Sequence, residues 1–194
     1  MKELKIIFGS YCPNSAMTNR FLALLGGIRD NGVKVQIVFV HPNSNFDKWE
    51  EIPNNVSVVY LWEGHAWRNQ IIRRLYGFLD VYKYKKQLKF GDNILLMGSG
   101  QFLPMLVTRK DVNIFHERTE HPSVVRVNPH FMQRKYLKAC KKLDGMFVIS
   151  TALKSFYESL GVRNVKIINM VCSFCSFCSS NFASLTSSFF SICS

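Results

Sequence analysis

The chain has 194 residues, 47% of them hydrophobic and 20% charged, with 25 Lys+Arg against 13 Asp+Glu for a net charge of +12. That length and apolar content suit one ordinary domain and exclude both a pair of ordinary domains and a disordered chain. The excess of cations draws a protein toward polyanions (nucleic acid, anionic lipid or phosphate-bearing substrates) without choosing among them.

The opening "MKELKIIFGS" has too short an apolar run for the core of a signal peptide. No run of about 18 apolar residues follows anywhere, so a cytoplasmic protein is expected. The first strand is predicted over 4–10 and ends in "FGSYCPNS". Gly9 there lets backbone approach a ligand or makes a tight turn, and the GxGxxG dinucleotide fingerprint is absent. A helix over 16–30 begins near Ser15 or Thr18 as a cap and stops at "DNG", with Gly32 free to turn left-handed. Strands follow over 33–40 and 56–62.

The stretch 65–89, "HAWRNQIIRRLYGFLDVYKYKKQLKF" with its flanks, spaces Trp67, Ile71, Leu75, Phe78 and Tyr82 by three and four among seven cations. This pattern predicts a basic amphipathic helix. We expect its apolar stripe to pack on the sheet beneath a solvated basic face; the other reading is a helix lying on an anionic membrane surface. A strand over 93–99, a helix over 101–109 and a strand over 112–117 come next. A second basic patch, "QRKYLKACKK" at 133–142, lies in a helix over 128–142. Neither patch has the aromatic and glycine pattern of an RNA-binding sheet, so no nucleic acid is expected.

The chain closes with a strand over 145–150, a helix over 151–160 capped by Ser150 or Thr151 and stopped by Gly161, and a strand over 165–171. The strands are nearly continuous apolar runs, as in a parallel sheet covered on both faces. Their alternation with helices predicts a doubly wound, Rossmann-like α/β domain over 1–171. In such folds ligands gather at the carboxyl ends of strands, so the places to search are 9–19, 99–101, 116–121 and 150–154.

The third of these, "HERTEHP", packs five titratable side chains into seven residues after the apolar "VNIF". The second His falls at i+5, off the helix face that a zinc HExxH motif requires, and Pro122 favours a turn. No metal or cofactor is expected here. Two readings remain. In one, His116 or a carboxylate of Glu117 or Glu120 binds sugar hydroxyls or moves protons, while Arg118 offers a fork to an anion. In the other, a solvated turn holds a local Arg118–Glu120 pair.

From residue 172 the sequence becomes a Ser/Phe/Cys tail with no charge. Its CxxCxxC at Cys172, Cys175 and Cys178 lacks the fourth ligand and the Pro of an iron–sulfur run. Ser, Phe and Cys codons can all be pyrimidine-rich, so translation out of the original frame is the simplest account of 172–194, which we expect to be disordered. Cys12 and Cys140 alone fall in patterned sequence, which is no secreted disulfide framework.

Three segments in order carry a resemblance: "LKIIFGSYCPNSAMTNRFLALLGGIRDNGVKVQIVFVHP", "NIFHERTEHP" and "DGMFVISTALKSFYESLGVRNVKIINMV". Over 1–171 the chain resembles the N-terminal domain of a family 4 glycosyltransferase, of the GT-B class with two facing Rossmann-like domains. The resemblance implies transfer of a sugar, with retention, from a nucleotide-sugar donor to a glycan or lipid-linked acceptor held mostly by this domain. By it, His116, Glu117 and Glu120 are the candidate catalytic residues in the interdomain cleft. Gly9, Ser10, Asn14, Asn19, Arg118 and Ser150 are the candidate substrate-binding residues. The tail stands where the family continues into its nucleotide-binding domain, with phosphate-binding Arg and Lys and an E-x7-E pair. The implied protein is therefore a truncated acceptor-side half, inactive alone and cytoplasmic or peripheral at the cytoplasmic membrane face. The alternative from another class is a non-enzymatic basic α/β module that binds an anionic surface or polymer.

Overall fold

The computed structural model describes residues 3–13, 18, 19, 21, 22, 24, 25, 33–42, 45–63, 69–121 and 130–168. In chain order the elements are β1 (Glu3–Phe8), β2 (Lys34–Phe39), β3 (Val56–Tyr60), α1 (Gln70–Gln87) and β4 (Asn93–Met97). A 3-10 turn (Gly100–Phe102) then leads into α2 (Leu103–Leu106), β5 (Asn113–Arg118), α3 (His130–Cys140), β6 (Gly145–Val148), α4 (Thr151–Ser159) and β7 (Val165–Ile167). Thr18, Asn19, Phe21, Leu22, Leu24 and Leu25 are also helical.

Among the described residues the strands form one seven-stranded sheet in the order β3-β2-β1-β4-β5-β6-β7, parallel throughout. The expected Rossmann-like, doubly wound α/β fold is what the structure has. Alternate strand residues serve opposite faces, which is why the strands read as unbroken apolar runs. One face sends Ile7, Val38, Ile94, Leu96, Ile114, Met146 and Val148 under α1, α2, α3 and α4. The other packs Leu4, Ile6, Phe8, Ile37, Phe39, Met97, Phe115 and Phe147 in a cluster with Phe21, Leu25 and Trp49. Phe8 meets Phe21 with ring centres 5.1 Å apart and Phe39 edge-on at 5.9 Å, arrangements that aromatic quadrupoles favour.

Polar ties close the opposite end of the sheet. Lys5 and Asp92 pair at 2.6 Å, largely shielded from solvent, and Asp92 also accepts the Lys89 backbone N–H at 2.7 Å. Arg109 donates to the Lys85 and Leu88 carbonyls at 2.7 and 3.0 Å. It thereby satisfies carbonyls that the last turn of α1 leaves without helical partners.

Several expectations are corrected. The helix predicted over 101–109 is a 3-10 turn followed by the four-residue α2; Pro104 suits only a first helical turn, and the apolar residues around it form no long repeat. The run 93–99 stops as a strand at Met97, because Gly98 takes a left-handed φ of 76° and turns the chain. β5 extends to Arg118, one residue past the predicted strand, with His116 and Glu117 inside it as expected.

The largest correction concerns α1. Most of its predicted inward stripe faces out: Ile71, Leu75 and Tyr82 are 68%, 60% and 45% exposed, while Phe78 of the same stripe packs half-buried against the core. The face against the sheet is Gly77, Asp80, Val81 and Tyr84. Gly77 suits this inward face, because a Cβ there would come within 2.1 Å of Cε1 of His41 and force the ring to move. Trp67, Ser15, Gly32 and Asn14 lie outside the described residues, as does everything after 168, including Cys172, Cys175, Cys178 and Cys193. Cys12 is exposed, Cys140 is buried, and both are free thiols.

Candidate functional site

The sheet order reverses between β1 and β4, which both continue outward at their carboxyl ends. In parallel α/β sheets this switch point opens a crevice that neither neighbouring crossover fills. Here it holds a cleft of about 640 Å3, lined from β1 by Phe8, Gly9 and Ser10 and from β4 by Met97 to Gln101. The end of β5 adds Glu117 to Glu120, α3 adds Met132, Gln133, Lys135 and Tyr136, and Phe78 of α1 and Met105 of α2 close the side.

Small residues keep it open. A Cβ on Gly9 would approach Oγ of Ser99 to 2.8 Å, and one on Gly100 would approach the Tyr136 ring to 3.0 Å. Both glycines therefore allow the first and fourth strand ends to sit close to their neighbours without filling the crevice.

Behind the cleft wall runs a chain of hydrogen bonds. His116 is 0% exposed. Its Nδ1 lies 2.9 Å from the Leu96 carbonyl, which can only accept, so Nδ1 carries the proton and donates. Nε2 is then the acceptor for the Tyr136 hydroxyl at 3.0 Å, and the Tyr136 oxygen faces the Tyr157 hydroxyl at 3.4 Å. Burial, opposed by the Leu96 hydrogen bond and aided by the charge of Arg118, lowers the His116 pKa to about 4, so the imidazole is neutral near pH 7. Burial likewise raises Tyr136 well above its ordinary value, raises Tyr157, and pushes the Cys140 thiol up to about 12.

The cleft rim is charged instead. Arg118 donates from Nε to the Glu120 backbone carbonyl at 3.0 Å and sets its guanidinium carbon 5.6 Å from the Tyr136 ring centre. The contact between Arg118 and Glu120 is thus made to backbone, which leaves the Glu120 carboxylate out of it. Glu117 is 5% exposed yet faces the cleft. The rim offers carboxylates to hydroxyls or amines and cations to phosphate or carboxylate, over a floor of methionine and aromatic carbon.

Of the residues expected from sequence, the structure brings Gly9, Ser10, Glu117, Arg118 and Glu120 together in this one cleft. His116 stands one layer behind it, with both ring nitrogens engaged. Ser150 caps α4 by accepting the Leu153 N–H at 3.2 Å, and neither it nor the exposed Asn19 lines the cleft. Asn14 lies outside the described residues. Tyr136, which binds His116 from the opposite element, was not picked out; in sequence it is a lone aromatic inside "QRKYLKACKK", where charge dominates. Among the described residues no group of three His, Cys, Asp or Glu side chains is placed to hold a metal ion, and no helix is long and apolar enough to cross a membrane.

No protein-family model matches the sequence, and no curated protein matches it significantly. Solved structures do match the fold. Sucrose-phosphate synthase from Thermosynechococcus elongatus superposes with a TM-score of 0.62 at 14% identity, over 87% of this chain and 48% of that one. The apo glycosyltransferase UGT2 of Phytolacca americana matches with a TM-score of 0.56 at 11% identity, over 93% of this chain and 54% of the other. A UGT transferase from Siraitia grosvenorii, solved with UDP, gives 0.56 at 11% identity over 93% and 53%. The chain spans about half the length of the glycosyltransferases it matches, and its fold is that of one half of a GT-B molecule.

Proposed function

We propose that this chain is the acceptor-side half of a retaining, family 4 glycosyltransferase, which moves a sugar from a nucleotide-sugar to a glycan or lipid-linked acceptor in the cytoplasm. The observation that carries the reading is the cleft at the β1/β4 switch point, walled by Gly9 and Ser10, by Gly98 to Gln101 and by Glu117 to Glu120. The likeness of the fold to sucrose-phosphate synthase supports it. So do two further structures of similar fold, of which one holds UDP and the other UDP-2-fluoro-glucose with pterostilbene.

In this reading Glu117 and Glu120 accept hydrogen bonds from acceptor hydroxyls and take up the proton that leaves the attacking oxygen. Arg118 orients an anionic group of acceptor or donor. Gly9 and Ser10 bring backbone close to the donor. His116, neutral and fully engaged, acts as a positioning residue that holds the Tyr136 ring in the wall. Donor contacts in this reading come from a facing second domain, so residues 1–194 assayed on their own should turn over no sugar nucleotide.

The test has two arms. Incubated with a panel of UDP- and GDP-sugars and acceptors, the chain should release no nucleotide; robust turnover would overturn the half-enzyme assignment. Titrated with glycan and lipid-linked acceptors, it should bind at least one class saturably, and Glu117→Gln should weaken that binding by about tenfold or more, the value of a charged hydrogen bond. Failure of every acceptor class to bind would sink the acceptor-side role.

A further inference from the structure

Among the described residues, α1 turns an apolar face away from the sheet. Ile71, Ile72, Leu75, Leu79 and Tyr82 are all exposed, and at spacings of three and four they form one outward stripe over about three turns. Exposed apolar side chains scattered singly need no explanation, but a contiguous stripe of five marks an interaction surface. The charges on this helix choose its partner. Arg74, Lys83 and Lys86 are exposed on it, and Lys89 follows just beyond its end beside Phe90, which is 89% exposed. The helix has one acid, Asp80, and that is 5% exposed on the inward face. Lys85 is directed away, to the Thr108 hydroxyl. The outward face is therefore apolar for three turns and cationic in its last, with no carboxylate on it.

We propose that this face docks on an anionic membrane surface, with Ile71, Leu75, Leu79 and Tyr82 entering the headgroup boundary and Lys83, Lys86 and Lys89 meeting lipid phosphates. The same face of a second copy would offer these lysines no carboxylate, which argues against self-pairing. Tyr82 already shows the needed geometry: the Lys86 ammonium stands 4.6 Å from its ring centre, a cation above an amphipathic ring. Docking does not rest on the glycosyltransferase reading. It does add to that reading, because Phe78 of the same helix lines the cleft, so the cleft opens about one helix diameter from the docked face and favours a lipid-linked ligand.

The full chain, kept reduced, is sedimented with phosphatidylcholine vesicles and with vesicles that also contain phosphatidylglycerol. Binding is expected to the anionic vesicles only and is expected to fall with added salt. Each surface lysine is worth about fivefold in affinity, so the triple variant Lys83→Ser, Lys86→Ser, Lys89→Ser should bind roughly a hundredfold more weakly. The variant Leu75→Ser, Leu79→Ser should lose binding while its denaturation midpoint stays near that of the parent, since both side chains are exposed. The proposal fails if neither vesicle is bound, if both are bound equally, or if the variants bind as the parent does. It also fails if the chain dimerises in a way that Leu75→Ser, Leu79→Ser abolishes, which would assign the face to a second copy.

Discussion

α4 and α1 both carry apolar residues at helical spacing, and the two helices use them in opposite ways. In α4 the stripe goes inward: Leu153 and Tyr157 are buried and Phe156 packs half-buried against the same core, while Ser150 caps one end and Gly161, at a φ of 83°, stops the other. In α1 the stripe goes outward, and the sheet is met by a glycine, a buried acid and two large side chains. Spacing alone reveals that a helix has an apolar face; which way that face points depends on what the neighbouring surface will admit. Here that surface includes the His41 ring, which a Cβ on Gly77 would force to move.

The contrast is sharpest in stability. Tyr157→Ala removes a fully buried ring from the core and should cost about 3 to 5 kcal/mol by chemical denaturation. A value near zero would mean that α4 is not the inward helix it is here.

A shift to acid tests the same inward side. His116 is held neutral by a pKa of about 4, against an ordinary 6.5 in the unfolded chain. Above pH 6.5 neither state binds the proton; between 6.5 and 4 the unfolded chain takes it up and the fold does not. Stability should therefore fall as pH drops through that window, by on the order of 3 kcal/mol for this one group. His41, packed against α1 and also lowered to about 4 by burial and by Arg73, loses stability in the same direction and window. Denaturant midpoints that are flat from pH 7 to 4.5 would contradict both placements.

Smaller effects separate the helices further. Tyr136→Phe keeps the ring and removes the donor to Nε2 of His116, which leaves a buried acceptor unpaired at a cost of about 1 to 3 kcal/mol. Leu75→Ser, on the outward stripe of α1, should change stability by no more than about 0.5 kcal/mol. If it costs as much as Tyr136→Phe, α1 is covered by something in the folded chain.

How much of this was legible beforehand follows from the range of the forces involved. Each of the seven strands announced itself by an apolar run, nearly continuous in the central β1 and β4, which are buried on both faces, and looser in the half-buried β3 and β7 at the edges. Their ends were harder: "MGS" and "VIS" carry on the apolar run past Met97 and Val148, although the chain has already left the sheet to build loops. Glu117, Arg118 and Glu120 could be read as cleft residues because charge after an apolar run is locally conspicuous. His116 looked equivalent to them and is not: it shares a side of β5 with Arg118 but lies two residues deeper, fully buried with both ring nitrogens engaged. Tyr136 was beyond reach, because its meaning comes from an imidazole 20 positions away and from Gly100 on a third element. The inward face of α1 likewise meets His41, more than 30 residues earlier.

The neutral layer formed by His116, Tyr136, Tyr157 and Cys140 gives the crevice a polarity that a ligand would feel as direction. With the imidazole lowered to about 4, the thiol raised to about 12 and both phenols raised by burial, this backing is uncharged near pH 7. Among the described residues, the charged side chains that line the cleft are Glu117, buried in its wall, and Arg118, Glu120 and Lys135 nearer the solvent. Uncharged rings and hydrocarbon, from Tyr136 and Met105, thus stand opposite charged side chains across the same crevice, which gives it two chemically unlike ends.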